Sequence, residues 1–155
     1  MPDAPKSRLL VVDDDRVNRL VMQRYLETEG HQVSLAADGE EALALLSQKS
    51  FDMLLLDIEM PVMNGFQVLE RMTADPLLRE VPVVVVSGVE ELDSVVRCIQ
   101  MGAEDYLTKP VNRVLLKARI DASLEKKLLR DRQSALLKRL QREMEIAQHT
   151  QMSIL

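Results

Sequence analysis

Short apolar runs and longer amphipathic segments alternate along the first 110 residues of the chain. The runs lie at residues 9–12, 33–36, 53–56, 83–86 and 106–107. The four consecutive valines of residues 83–86 do not alternate with polar residues, which predicts a strand buried on both faces of a parallel sheet. The segments between the runs carry apolar residues three and four apart, as helices do. This alternation predicts a doubly wound α/β domain with helices on both faces of one sheet.

Four apolar stripes predict the helices between these strands. The first stripe stops before Gly30 and the fourth before Gly102, and glycine is common just beyond helix C-termini. Each stripe predicts one amphipathic helix that covers the sheet. In chain order their members are Val17, Leu20, Val21, Tyr25 and Leu26; Ala42, Leu43, Leu45 and Leu46; Phe66, Val68, Leu69 and Met72; and Leu92, Val95, Val96, Ile99 and Met101.

A fifth, much longer helix is predicted from residue 112 to residue 155, because no glycine or proline interrupts that stretch. We expect its first part to pack on the sheet through Val114, Leu115, Ala118, Ile120 and Ala122. Its later part carries a short heptad seam. Leu129 and Leu136 are out of phase with this seam, so we expect a shift of the heptad register between these leucines and the seam. The seam consists of Leu137, Leu140, Met144, Ala147, Gln151 and Ile154.

The seam favours a parallel two-stranded coiled coil, because an amphipathic helix that leaves a globular body needs a partner to bury its stripe. The alternative is a single solvated helix stabilised by charge pairs. We predict a flexible or disordered N-terminus at residues 1–7, a folded domain at 8–124 and a helical linker at 125–155. The uncapped end at residues 153–155, whose last two residues are apolar, also suggests that the natural protein continues into a further domain.

Composition narrows the possible functions. The chain has 155 residues, 46% hydrophobic and only 3% aromatic, so the core must be aliphatic. A net charge of −5 does not favour nucleic acid, and the basic side chains of residues 126–142 are interleaved with acids and leucines. Cys98 is the single cysteine, and no run has the length of a membrane span or the apolar core of a signal peptide. We therefore predict a cytoplasmic protein that binds neither nucleic acid nor membrane.

Polar residues that carry chemistry follow four of the five predicted strands. Residues 13–15 are aspartates after the first strand, Asp57 follows the third, Ser87 the fourth and Lys109 the fifth. In an open parallel sheet, ligands bind beyond the carboxyl ends of the strands. Each of these residues alone is typical of a turn, a helix cap or the surface, but together they predict one site at one edge of the sheet.

The residue types indicate a phosphoryl site. Carboxylates held close together repel one another and need a cation, and oxygen ligands without thiols or imidazoles favour Mg²⁺. Lys109 supplies positive charge for phosphate oxygens, and Ser87 supplies a hydroxyl donor. Asp57 stands alone at the end of the central run and is the natural nucleophile, since a carboxylate can attack phosphorus to form an acyl phosphate.

Residues 8–124 resemble the receiver family of response regulators, which accept a phosphoryl group in two-component signalling. The resemblance rests on residues 10–15, 56–65, 86–88 and 102–110. It implies a flavodoxin-like, five-stranded parallel sheet in the order 2-1-3-4-5. It also implies a partner, either a sensor histidine kinase or a phosphotransfer protein, whose phosphohistidine is the donor.

The same resemblance assigns roles at the metal site. It implies that Asp57 is the phosphoacceptor, that Asp14 and Asp57 are direct Mg²⁺ ligands, and that the main-chain carbonyl of Glu59 is a third ligand. Asp13 is expected to orient metal-bound water. Because Glu59 lies two residues after the acceptor, we also expect its side chain to affect the lifetime of the acyl phosphate.

Further roles concern the switch. The resemblance implies that Ser87 is the hydroxyl that moves toward the phosphoryl group and that Tyr106 is the aromatic residue that rotates inward after it. Lys109 would pair with the phosphate, and its peptide bond to Pro110 is expected to be cis. The chain would catalyse nothing beyond its own phosphorylation and dephosphorylation.

The end of the chain resembles the helical segment that leads into metal-dependent serine/threonine phosphatase domains, through residues 143–147 and 151–155. The output of the natural protein is therefore predicted to be such a phosphatase. The alternatives are a nucleotide-cyclase output, or a stand-alone receiver that dimerises through its C-terminal helix.

Three other functions compete with the receiver interpretation. A phosphatase of the haloacid-dehalogenase type needs a second aspartate two residues after its nucleophile, where this chain has Glu59. A scaffold that only dimerises would not need the full set of acids, hydroxyl and lysine. A flavodoxin would not place carboxylates where the flavin phosphate binds.

Overall fold

The computed structural model describes residues 6–154, and the side chains of residues 6–150. Strands and helices alternate along the chain, as the apolar runs and stripes predict. In chain order they are β1 (Arg8–Val12), α1 (Arg16–Thr28), β2 (Gln32–Ala36), α2 (Gly39–Gln48), β3 (Met53–Leu56), α3 (Gly65–Ala74), β4 (Val83–Ser87), α4 (Leu92–Gln100), β5 (Asp105–Thr108) and α5 (Arg113–Ile154). The predicted boundary at residues 1–7 lies mostly outside the described residues, although Lys6 N–H donates to the Gly30 carbonyl over 3.0 Å.

The five strands form one parallel sheet in the order β2-β1-β3-β4-β5, which confirms the predicted flavodoxin-like topology. β3 lies in the centre, where Leu54 pairs with Leu10 of β1 and with Val83 of β4. Every residue of β3 and β4 is buried, because helices cover both faces of the sheet. A continuous apolar run therefore predicts both that a strand forms and that it lies in the interior of the sheet.

Successive residues of each strand enter two different cores, since side chains alternate across a sheet. Leu10 and Leu54 belong to the core beneath α2, α3 and α4. Leu9 and Leu55 belong to the core on the opposite face, beneath α1 and α5. Burial of each large aliphatic side chain contributes about 2 kcal/mol.

Two of the predicted helix stripes lie only partly on the buried face. In α1 the buried residues are Met22 and Leu26, whereas three members of the predicted stripe, Val17, Leu20 and Val21, are exposed. In α4 the buried residue is Cys98, and three stripe members are exposed: Leu92, Val96 and Ile99. The helices were predicted correctly, but their apolar residues extend around more of the helix than the sheet covers.

Local signals fix where the helices begin and end. Asp15, Asp38 and Asn64 cap the N-termini of α1, α2 and α3, and each accepts the backbone N–H of the third residue of its helix. Gly30 and Gly102 adopt positive φ angles just beyond α1 and α4, at 93° and 107°. Glycine adopts this conformation without steric cost, which explains both stops.

Helix α5 has 42 residues and is about 60 Å long. Leu116, Ile120 and Ser123 lie against the sheet, so the buried face differs from the predicted one, which included the exposed Val114 and Leu115. Beyond Leu124 most side chains of α5 are exposed, and its last contacts with the body are the ion pairs of Lys127 with Asp52 and of Arg130 with Glu104. The seam residues Leu137, Leu140 and Met144 are exposed there, whereas the side chains of Gln151 and Ile154 lie outside the described residues.

Within the part of the chain that the structure describes, no helix combines the length and the apolar character needed to span a membrane.

Candidate phosphoryl and cation site

The carboxyl ends of β1, β3 and β5 bring the acids and the lysine together. Asp57 extends the ladder of β3 by donating its N–H to the Val12 carbonyl over 2.9 Å. Asp13 does the same on the other side of β1, donating to Ala36 over 3.1 Å. Because parallel strands end at one edge, residues distant in sequence meet there. Asp13 and Asp57 are both buried, and Asp14 beside them is exposed.

Lys109 joins the two buried carboxylates. Its Nζ lies 2.6 Å from Asp13 Oδ2 and 3.1 Å from Asp57 Oδ2. The two pairs span 96 and 52 residues of sequence. Charge-assisted hydrogen bonds of this length are strong where water is largely excluded. The ammonium compensates only part of the negative charge, since three carboxylates converge there.

Burial and charge shift the acid–base properties of this pair. Burial raises the pKa of Asp57, and the nearby Lys109 ammonium opposes that shift without cancelling it. Burial alone would lower the pKa of Lys109, but its hydrogen bond to Asp13 and the charge of Asp57 outweigh burial and raise it. The lysine is therefore held firmly in its charged form. A divalent cation beside Asp57 would favour the carboxylate as well.

The three carboxylates form a candidate cation site. One oxygen from each of Asp13, Asp14 and Asp57 lies within 4.8 Å of the other two. This all-oxygen donor set fits a hard divalent ion such as Mg²⁺, which binds through a few carboxylates and retains water. The predicted contribution of the Glu59 main-chain carbonyl stays a prediction, and the Glu59 side chain is exposed.

Arg19 is a residue of this site that sequence reasoning missed. Its Nη1 donates to the main-chain carbonyl of Asp13 over 2.7 Å, while Asp13 Oδ1 accepts the N–H of Asp15 over 2.9 Å. These bonds, with the cap that Asp15 places on α1, hold the loop that carries Asp13 and Asp14. An arginine on an amphipathic helix gives no sequence signal for such a contact.

The loop after Asp57 is tightly packed against α3. A Cβ atom on Gly65 would lie 2.5 Å from the main-chain oxygen of Asp57, so only glycine fits.

The same loop contains a γ-turn centred on Val62, which has a φ angle of 70°. The N–H of Met63 donates to the Pro61 carbonyl over 2.7 Å. A β-branched residue is strained in this region.

Ser87 and Tyr106 lie on neighbouring strands. Ser87 is fully buried at the end of β4, and its Oγ accepts the N–H of Val89 over 3.3 Å. The Tyr106 hydroxyl donates to the Val89 carbonyl. Burial raises the pKa of that hydroxyl, and the adjacent Ser87 side chain opposes the shift. Both predicted switch residues therefore contact the same backbone segment, the β4–α4 loop. The bond between Lys109 and Pro110 is cis.

Comparison with known proteins agrees with this geometry. Residues 9–121 match the model of a family described as the response regulator receiver domain. Response regulator PleD of Caulobacter vibrioides is 38% identical over 125 residues, which is 81% of this chain and 28% of PleD. Protein PilH of Pseudomonas aeruginosa is 38% identical over 118 residues, 76% of this chain and 98% of PilH. The chain thus spans about a quarter of one relative and nearly all of the other.

Solved structures show the same similarity. A CheY-like response regulator receiver domain protein from Methanospirillum hungatei superposes with a TM-score of 0.75 and 32% identity, covering 79% of this chain and 97% of the other. A response regulator from Chloroflexus aurantiacus described as putative gives a TM-score of 0.74 and 30% identity, with coverage of 78% and 98%. Each match leaves about a fifth of this chain uncovered.

Proposed function

This chain belongs to the response regulator receiver domain family, and from that premise we propose that it is a signalling switch phosphorylated on Asp57. A receiver domain is a switch in two-component signalling rather than a catalytic domain. The observation that carries the proposal is the pair of contacts from Lys109 to Asp13 and Asp57, at 2.6 and 3.1 Å. A positive charge beside a buried carboxylate supports the proposal, because phosphoryl transfer to that carboxylate needs charge compensation.

The cation is proposed to be Mg²⁺, held by Asp14, Asp57 and the main-chain carbonyl of Glu59. Asp13 would orient its water ligands. The clustering of the three aspartate side chains supports this assignment. When bound, Mg²⁺ supplies positive charge that neutralises the oxygens of the transferred phosphoryl group.

The chain's own residues perform the transfer. An Asp57 carboxylate oxygen attacks the phosphorus of a phosphohistidine on a sensor kinase or phosphotransfer protein. A P–O bond forms, the P–N bond breaks, and the released imidazole takes up a proton from water. Lys109 is proposed to pair with a phosphoryl oxygen, and attack of water on the acyl phosphate later resets the switch.

Ser87 and Tyr106 are proposed to read the phosphorylated state. Movement of Ser87 toward the phosphoryl group would take its hydroxyl away from Val89, whose backbone also holds Tyr106. The phosphoryl group would thereby shift the population of conformations of the β4–α4 loop, α4 and β5.

The output is proposed to pass through α5. Its exposed seam would pair with a second copy in a parallel coiled coil, and residues 125–155 would link the receiver to a further domain. A serine/threonine phosphatase domain is the proposed output, and a nucleotide-cyclase domain or a stand-alone dimeric receiver are the alternatives. The short coverage of PleD is consistent with a receiver followed by other domains.

Phosphorylation is tested by mass spectrometry of the intact chain. With Mg²⁺ and a small acyl phosphate we expect one added phosphoryl group, lost in Asp57→Asn and retained in the control Asp131→Asn on the exposed helix. A wild-type chain that stays unmodified under conditions where another receiver reacts would contradict the proposal.

The coiled coil is tested by sedimentation. We expect the full chain to self-associate more strongly than a chain cut after Leu124. Equal behaviour of the two would contradict dimerisation through α5.

A further inference from the structure

The carboxylate of Glu104 holds α5 where the helix leaves the body, and the ion pair of Lys127 with Asp52, at 3.9 Å, is a second and longer contact there. Glu104 Oε2 accepts from Ser123 Oγ over 3.0 Å, and Glu104 Oε1 accepts from Arg130 Nη2 over 2.6 Å. Ser123 is buried against the sheet, whereas Arg130 lies about two helical turns further along, on the exposed part of the helix. One side chain therefore connects the packed part of α5 with the part that extends into solvent.

Helix geometry explains why this contact forms. Side chains tilt toward the N-terminus of their helix, so Arg130 reaches back toward the body. The Glu104 side chain is only 18% exposed, so water and salt screen its ion pair with Arg130 less than they screen a pair between two surface side chains. By contrast, Arg139 and Glu143 are 77% and 60% exposed and link α5 only to itself.

Glu104 is firmly attached to the strand that carries the predicted switch tyrosine. It directly precedes β5, two residues before Tyr106, and its N–H donates to the Val83 carbonyl over 2.8 Å. Next to it, Asp105 lies 3.5 Å from Arg119, one turn before Ser123 on α5. These contacts join β5 to α5 at two successive residues, Glu104 and Asp105.

We propose that Glu104 is a coupling residue, a clasp that makes β5 and residues 121–132 of α5 move as one body. The transmission of a phosphorylation signal through the clasp rests on the proposed function. The restraint on the helix does not, since it follows from the contacts to Ser123 and Arg130 alone.

Hydrogen–deuterium exchange of the full chain tests the restraint without any phosphodonor. Glu104→Gln removes the charge of the clasp, and we expect amides of residues 121–132 to exchange about three- to tenfold faster. Arg130→Gln should have the same effect without any risk to the fold, because its side chain is half exposed. The double variant should exchange no faster than either single variant.

Arg139→Gln is the matched control, since it breaks an ion pair on the same helix that does not reach the body. We expect it to leave the exchange of residues 121–132 unchanged. If Glu104→Gln and Arg130→Gln also leave that exchange unchanged, the clasp does not exist.

A second arm tests transmission. After phosphorylation, confirmed by mass in the same sample, the exchange of residues 121–132 should change in the wild-type chain and by less than half as much in Glu104→Gln. An equal change in the two chains would overturn the coupling role. A chain that takes up no phosphoryl group would instead contradict the proposed function, and the donor-free comparison would still decide whether the clasp exists.

Discussion

The sheet and the exposed part of α5 use the same residue type in opposite ways. Leu54 in β3 is 0% exposed, whereas Leu136 on the extended helix is 53% exposed. The body buries its leucines within one chain, and its stability is therefore intramolecular. Among residues 125–150, whose side chains the structure describes, the seam leucines have no comparable burial. This difference motivates the proposal that the exposed part of α5 pairs with a partner, whereas the body buries its own apolar surface.

The most direct test of this contrast truncates one leucine in each region. Leu54→Ala should lower the free energy of unfolding by about 3 kcal/mol, because it leaves a cavity between two layers. Leu136→Ala should change it by less than about 0.5 kcal/mol, since the side chain is already half hydrated. Urea unfolding of the full chain measures both changes in the free energy of unfolding. Equal changes would contradict the difference between the buried sheet and the exposed helix.

The body should also resist added volume next to the site. Gly65→Ala places a methyl group against the Asp57 carbonyl, 2.5 Å away, and should cost about 2 kcal/mol and slow phosphorylation. Gly88→Ala is the matched control, because nothing lies within 4 Å of the added atom. Tolerance of alanine at both positions would mean that the loop beside the site is looser than the packing indicates.

A smaller effect is a pH dependence of folding stability that comes from His31 in the body and not from the exposed part of α5. His31 is buried with no partner for its Nδ1 among the described residues, and burial lowers its pKa, with Lys6 adding to the shift. The folded state thus disfavours the protonated form of His31, whereas the unfolded chain binds the proton freely. The resulting contribution of neutral His31 to folding stability is fully present above the unfolded pKa of about 6.5 and is lost as pH falls below that value.

We therefore expect stability to decrease between about pH 7 and pH 5, and His31→Gln to flatten that decrease. Urea unfolding across this range is the measurement. The chain cut after Leu124 should keep the wild-type slope. A slope that vanishes in the shortened chain would place its origin in the helix instead.

The smallest predicted effect is a gain in stability. Val62 is a β-branched residue with a φ angle of 70° and is exposed. Val62→Gly should stabilise the body by about 0.5 kcal/mol, because relief of the backbone strain exceeds the entropy that glycine adds to the unfolded chain. Thermal unfolding measures this gain. The control Val114→Gly changes an exposed valine with regular helical geometry in the first turn of α5, and we expect it to destabilise the protein instead.

The strands and the site were predictable for the same physical reason. A strand buried on both faces must be apolar throughout, so the polar residue that follows it marks the sheet edge, as Asp57 and Ser87 do. The parallel topology then brings those edges together, and Lys109 meets Asp13 although neither residue alone predicts the other.

The helix faces and the clasp were not predictable in this way. Val17 and Leu92 continue an apolar spacing but face solvent, because spacing records where apolar residues recur and not how much of the helix the sheet covers. The contact of Glu104 with Arg130 depends on how far α5 extends past the body, which no local pattern contains. The positive φ of Val62 likewise comes from closing the loop after Asp57.

The 96 residues that separate Asp13 from Lys109 have a consequence for biosynthesis. A ribosome delivers the acids early and the lysine only after β5 has been made. A partly synthesised chain therefore carries Asp13 and Asp57, the proposed acceptor, without the ammonium of Lys109. Under the proposed function, such a chain would accept a phosphoryl group poorly, and only molecules whose last strand has joined the sheet would respond to a kinase.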